Sequence, residues 1–245
     1  MQKNIDTNWT NWDKTCDRFV VYLDLGGTKD MVHRKTHKEI YGKFIKIHNL
    51  IKSAQLRLDI EEKYDMIYTS QFSDSIYIFS RDDYRVSFEL LVYVMRKVIY
   101  ELIMQGIAIK GACAHGKITV DIEKSIFFGQ PIVDAYELEE DTRYYGIVCH
   151  NSFEKQIDKY KLRYKNTDDV SQSFLEEDFF IAKTKLKPGD IEHANVNWFL
   201  HNKDTHEQIF TKVGKALKKI QMQVSGKPRI YIDNTMEMAK RALYP

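Results

Sequence analysis

The 245-residue chain is 43% hydrophobic and 29% charged, with 37 basic residues against 35 acidic ones for a net charge of +2. That near-balance gives no support for a general nucleic-acid binder, which normally carries a strong basic excess, and the apolar share is ample for a packed core. No apolar run approaches the roughly 20 residues that span a bilayer, and the start MQKNIDTNWTNWDK has no signal-peptide core. With three cysteines, Cys16, Cys113 and Cys149, in no CxxC spacing, a reducing cytoplasm is the expected compartment, with no membrane and no nucleic-acid partner.

Residues 1–17 read as a polar leader, with Trp9 and Trp12 as possible anchors on the body. Residues 18–25, RFVVYLDL, are apolar on both faces and predict a central strand. A helix is expected over about 32–58, with Ile40, Phe44, Ile47 and Ile51 at 4-3-4 spacing. Two strands follow at 65–71 and 75–80, joined tightly around Phe72, Ser73 and Asp74. The stretch 83–105 predicts a well-buried helix that ends at Gly106. Residues 107–116, IAIKGACAHG, read as another central strand whose small residues allow close backbone approach. Residues 118–128 read as its partner, with a turn at Glu123–Lys124.

Pro131 suits the first turn of a short helix, with Ile132, Val133, Tyr136 and Leu138 as its apolar positions. A strand is expected at 145–149, a helix from 151 to about 165, polar turns over 166–177 and an edge strand at 178–184. The last long helix is expected over 205–223, opened by the capping-box pair Thr205 and Gln208, with one or two helical turns after Pro228. Residues 18–150 therefore read βαββαβ, an α+β mixed sheet with helices on one face. Residues 151–245 read as a C-terminal α/β extension packed on the same domain.

In a βαββ unit the end of the first strand and the tip of the following hairpin lie side by side, so Asp24 and Asp74 converge. Beside them Gly26, Gly27 and Thr28 form a small-residue loop whose N–H groups can approach phosphate oxygens. Either acid alone is an ordinary turn aspartate. Together beside a diglycine loop they make the layout for two divalent ions, one activating a hydroxyl and one holding a triphosphate. The histidines offer less. His115 has no second ligand at metal spacing, and the His33–His37 pair, read on one helix face, lacks HExxH.

The segments YLDLGGT, TSQFSDSIYIFS, IAIKGACAHG and FFGQPIVDAYELEE together resemble the class III nucleotidyl cyclase catalytic domain, over roughly residues 18–150. That resemblance implies a ferredoxin-like, palm-like fold. Among class III enzymes the chain looks most like the bacterial Pycsar pyrimidine cyclases. It then implies a cytoplasmic homodimer that converts UTP or CTP to the 3′,5′-cyclic monophosphate and pyrophosphate with two Mn2+ or Mg2+ ions. UTP is the favoured substrate, and the product would act as an anti-phage messenger read by a separate effector.

The resemblance makes Asp24 and Asp74 the catalytic metal ligands, with the Leu25 carbonyl beside them. Gly26, Gly27, Thr28 and Lys110 fall on phosphate-binding positions, and Ser70 falls where purine cyclases use a lysine against adenine. Two positions depart from the pattern: Val133 and Glu137 stand where purine cyclases place an asparagine and an arginine. Lys117 and Lys124 could supply charge instead, or be solvated hairpin lysines. A purine cyclase, and a non-catalytic nucleotide sensor on a decayed cyclase fold, remain as alternatives.

Overall fold

The computed structural model describes residues 12–56, 66–164, 177–200, 204–222 and 228–244. One eight-stranded sheet organises them, in the order β2-β3-β1-β4-β6-β8-β7 with β5 paired to β4. The strands are β1 Thr15–Leu25, β2 Ile67–Phe72, β3 Ser75–Ser80, β4 Ile109–Asp121, β5 Ile126–Phe128, β6 Ile147–Cys149, β7 Phe179–Leu186 and β8 Gly189–Val196. The helices are α1 Thr28–Arg34, α2 His37–Leu56, α3 Arg85–Met104, α4 Gln130–Asp141, α5 Asn151–Tyr164, α6 His206–Gln221 and α7 Arg229–Leu243. Among them no helix is long and apolar enough to cross a membrane.

β1 is central, antiparallel to β3 on one side and to β4 on the other. Its side chains alternate between two cores, as a two-residue period requires. Phe19, Val21, Leu23 and Leu25 enter the larger core with Phe88, Leu91, Val98 and Leu102 of α3. Val20 and Tyr22 face a smaller cluster with Trp12, Phe79, Ala114 and Ala135. Trp12 is buried, with the Arg18 guanidinium 5.2 Å over its ring, while Trp9 lies outside the described residues.

Several elements differ from the sequence reading. The helix expected at 32–58 is two helices, because Thr36 and Glu39 form a capping box that starts a new one. The Thr36 N–H donates to Glu39 Oε2 (2.9 Å) and the Glu39 N–H to Thr36 Oγ1 (3.4 Å). This break puts His33 and His37 on different helices, so they share no helix face. β4 does not break near 116; it runs on to Asp121 because β1 starts at Thr15 and pairs with it along its whole length. The hairpin turn expected at Glu123–Lys124 is present, and β5 returns from it.

At Gly111 a Cβ would lie 2.5 Å from the Tyr22 carbonyl oxygen, so the close approach of β1 and β4 needs glycine. β8 was not expected. It forms a hairpin with β7 around Lys187 and Pro188, a proline–glycine turn signal present in the sequence, and it lies between β6 and β7. The tail is a full helix, α7, with Ile232, Thr235, Met238, Ala239 and Leu243 inward. The capping box at Thr205 and Gln208 forms as expected. Cys113 and Cys149 are free and fully buried among apolar residues. The polar stretch 166–177 lies almost wholly outside the described residues.

Candidate active site

β1 carries Asp24 out to its last turn on the same face as Val20 and Tyr22. In the register Asp24 stands opposite Ser75 of β3 and Lys110 of β4. Its carboxyl is half-buried and pushed up to about 6, by burial first and then by the charge of Asp74, with Lys110 opposing. Asp74 precedes β3 at the hairpin tip, beyond Ser73, which takes φ 56° in the turn. Its carbonyl oxygen accepts the Leu25 N–H (3.1 Å), which ties the hairpin tip to the end of β1. The two expected acids are thus brought together.

The loop after β1 is built around two glycines for different reasons. Gly26 lies against the start of β4: its N–H donates to the Ala108 carbonyl (2.9 Å), and a Cβ there would meet Ala108 Cβ at 2.9 Å. Gly27 has open space around it but takes φ 81°, a conformation that disfavours a side chain. Thr28 opens α1 and is buried, its hydroxyl donating to the Leu25 carbonyl (2.9 Å). The threonine therefore braces the loop, and the Leu25 oxygen keeps a second lone pair for another partner.

Lys110 reaches across to α4. Its ammonium lies 2.8 Å from Glu139 Oε1 and donates to the main-chain oxygens of Glu139 (2.8 Å) and Thr142 (3.4 Å). Glu139 is only 1% exposed, and burial pushes its carboxyl up to about 7, with Lys110 opposing and Asp24 adding to the rise. The sequence reading missed Glu139. Its signal was available: Pro131, Ala135 and Glu139 recur at i+4 and are the buried stripe of α4. An acid among ELEED does not declare which way it faces until the helix is docked.

Ser70 is half-buried on β2 opposite Tyr77, in the row that continues to Tyr22 and Ala112, next to the row of Asp24. Tyr22 donates to or accepts from Ser75 Oγ (2.9 Å), and its ring lies 4.8 Å from Tyr77 and 5.5 Å from Tyr136. Val133 and Glu137 are both exposed, one turn apart on α4, and Lys117 and Lys124 are exposed near the β4–β5 hairpin. His115 is half-buried against Phe19, with Asp83 and Gln156 on its ring nitrogens.

The residues present fit a divalent cation. Two acids share one corner, and Lys110, the cation in register with Asp24, is turned toward Glu139. Among the described residues no three His, Cys, Asp or Glu side chains form a ligand set. That matches an ion such as Mg2+, held by one or two carboxylates together with substrate phosphates and water, better than an all-protein cage.

No protein-family model matches the chain, and no curated protein does. Among solved structures, the catalytic core of a rhodopsin-guanylyl cyclase with converted specificity, in complex with ATPαS, aligns at a TM-score of 0.53. The identity is 14%, over 75% of this chain and 96% of that one. The fold is that of a class III cyclase catalytic core. A bacterial light-regulated adenylyl cyclase aligns at a TM-score of 0.47 and 12% identity, over 83% of this chain and 100% of that one. On this cyclase fold the end of the first strand, the tip of the β2–β3 hairpin and the diglycine loop meet at one end of the central strands.

Proposed function

We propose that the protein is a metal-dependent nucleotidyl cyclase that takes a pyrimidine nucleoside triphosphate, UTP in preference to CTP. Its products would be the 3′,5′-cyclic monophosphate and pyrophosphate. The observation that carries this is the meeting of Asp24 and Asp74 beside the Gly26–Gly27 loop on a cyclase fold.

In this reading Asp24, Asp74 and the Leu25 carbonyl hold two divalent ions. When bound, these supply positive charge to the triphosphate and lower the pKa of the attacking 3′-hydroxyl. The N–H groups of Gly27 and Thr28 bond no carbonyl among the described residues and stand ready for phosphate oxygens. Lys110, fixed by α4, adds a point charge at the row of Asp24. The ribose 3′-hydroxyl gives its proton to solvent as its oxygen bonds the α-phosphorus, the bond from that phosphorus to the β-phosphate oxygen breaks, pyrophosphate leaves in line, and catalysis is mostly positioning and electrostatics.

Ser70 favours a pyrimidine. Its short hydroxyl replaces the long cation that reads adenine, and Tyr77 and Tyr22 fill the rest of its own row with rings 4.8 Å apart. A two-fold homodimer is part of the proposal. Phe72 is 85% exposed on the face of Asp24, and Val133 and Tyr136 are exposed on α4 over the same face. A role as a cytoplasmic anti-phage messenger synthase, read by a separate effector, extends the reading.

The exposed pair Val133 and Glu137 favours a second reading, a nucleotide sensor without turnover, because neither residue can bind ribose or stabilise the transition state as asparagine and arginine do. Incubation with each of the four ribonucleoside triphosphates and Mn2+ separates the two. Cyclic UMP or cyclic CMP is the expected product. Cyclic AMP or cyclic GMP overturns the substrate assignment, and nucleotide binding without pyrophosphate release establishes the sensor.

A further inference from the structure

Against the Gly26–Gly27 loop, on the sheet face of α2 and α6 and not that of Asp24, lies a cleft of about 820 Å3. Three separate parts of the chain wall it: α1 and α2, the turn from α3 into β4, and the end of α6 at Ile220 and Met222. Its volume lies in the range of small-ligand sites. Positions 39, 42, 43 and 46 share one face of α2 and line it, so Lys43 and Lys46 point in together, joined by Arg34 and Lys35.

The charge here is uncompensated. Among the described residues Glu39 is the single acid on the wall, and it is held by the Thr36 N–H and hydroxyl (both 2.9 Å) and by Lys35 (3.8 Å). Arg34, Lys43 and Lys46 make no ion pair among the described residues. Lys43 is half-buried as well, and burial together with Lys35 pushes its pKa down, the state of a cation that lacks a counter-charge. Beyond Met222 an adjoining cleft of about 480 Å3 continues the basic surface with Lys215, Lys218 and Arg229. A chain of net charge +2 has concentrated its positive charge here.

We propose that this cleft binds a short polyphosphate chain, free or carried by a nucleotide, at a site distinct from the candidate active site, on the other sheet face and against the same glycine loop. Among the described residues the wall carries no Phe, Tyr, Trp or His on which a base of single-stranded nucleic acid could stack. Its concavity suits a compact anion rather than a flat bilayer or a duplex. Lysine ammonium groups act on phosphate as point charges and need no fixed fork geometry, which fits a set of cations drawn from two helices. Because Gly26 and Gly27 form part of the wall and Gly26 is bonded to Ala108, an occupant touches the loop that positions Asp24.

The inference does not depend on the cyclase reading, since a divalent ion is needed at Asp24 and Asp74 but not here. Titration calorimetry of the full chain with sodium tripolyphosphate, in EDTA at low salt, tests it. Saturable binding at one site per chain is expected. It should weaken at least tenfold in Lys43→Gln/Lys46→Gln and stay unchanged in Asp74→Asn. Lys117→Gln/Lys124→Gln removes the same charge at the other end of β4 and should also leave binding unchanged. UTP binding equal to tripolyphosphate assigns recognition to the phosphate chain; tenfold tighter UTP assigns it to a nucleotide. Absence of binding, binding indifferent to Lys43 and Lys46, or tighter binding of a DNA or RNA oligomer with a steep salt dependence overturns the proposal.

Discussion

Asp24 is the residue at which burial and charge conflict. It is half-buried beside a second acid, so its carboxyl titrates near 6 rather than near 3.8. A folded-state value raised above the unfolded one favours the protonated acid. The stability Asp24 contributes is therefore complete below about pH 3.8 and lost as pH rises through about 6. Replacement by a neutral isostere removes that penalty. Asp24→Asn, melted without metal at pH 7.5, is expected to unfold at the wild-type temperature or above it. Cation binding needs the carboxylate, so the rise in melting temperature that Mg2+ or Mn2+ gives the wild type should shrink below about pH 6 and vanish in the variant. A metal-induced shift that survives Asp24→Asn, or grows on acidification, removes Asp24 from the ion site.

At the scale of elements, α4 is held to the sheet by one buried ion pair and one buried stripe. The pair Lys110–Glu139 is 13% and 1% exposed at its two side chains. Removing one member of such a pair is strongly destabilising because the other is left charged and buried, while replacing both by apolar groups is much milder. Lys110→Met is expected to cost about 3 kcal/mol in urea unfolding at pH 8. The loss should be smaller at pH 6, where Glu139 takes up a proton because its carboxyl is already raised to about 7. Lys110→Met/Glu139→Leu should regain most of it. Equal losses in the single and double variants dissociate Lys110 from Glu139.

The helical break between α1 and α2 also belongs to this scale. Thr36-x-x-Glu39 is a legible start signal, whereas hydrophobic spacing alone carries one helix straight across it. β8 was missed for a related reason. Its segment, GDIEHANV, is mostly polar on its exposed half and becomes a strand by pairing with β7 and by lying beside β6 at Val148 and Asn195.

For the whole molecule, the C-terminal elements are tied into the same sheet and core. Arg96 of α3 donates to the Asn197 carbonyl (2.9 Å), to Asp178 and to the Leu200 carbonyl, and Asp178 is itself buried enough to titrate at about 6. α2, α3, α5, α6 and α7 pack into the larger core, and α4 and Trp12 into the smaller one on the other face. On that thinner face Phe72, Val133 and Tyr136 stay exposed and Tyr68 and Tyr77 are half-buried, an apolar surface of the kind that pairs with a copy of itself. The proposed homodimer predicts that sedimentation velocity finds a two-chain species at micromolar concentration. Phe72→Glu should shift it toward one chain and lower turnover with it, and a chain that is monomeric yet fully active refutes the homodimer.

The sequence by itself determined the central strand that carries Asp24, the hairpin tip at Asp74, the diglycine loop between sheet and helix, and the α+β class of residues 18–150. These were legible because each depends on local periodicity or turn chemistry. Only the tertiary structure decided that Lys110 turns to Glu139, that β4 runs unbroken beside β1, that β8 enters the sheet, and that Lys43 and Lys46 of α2 gather with Arg34 and Lys35 around one cleft. Those features depend on which face of a helix or strand meets a distant neighbour. Sequence spacing determines which residues share a face, and packing determines where that face points.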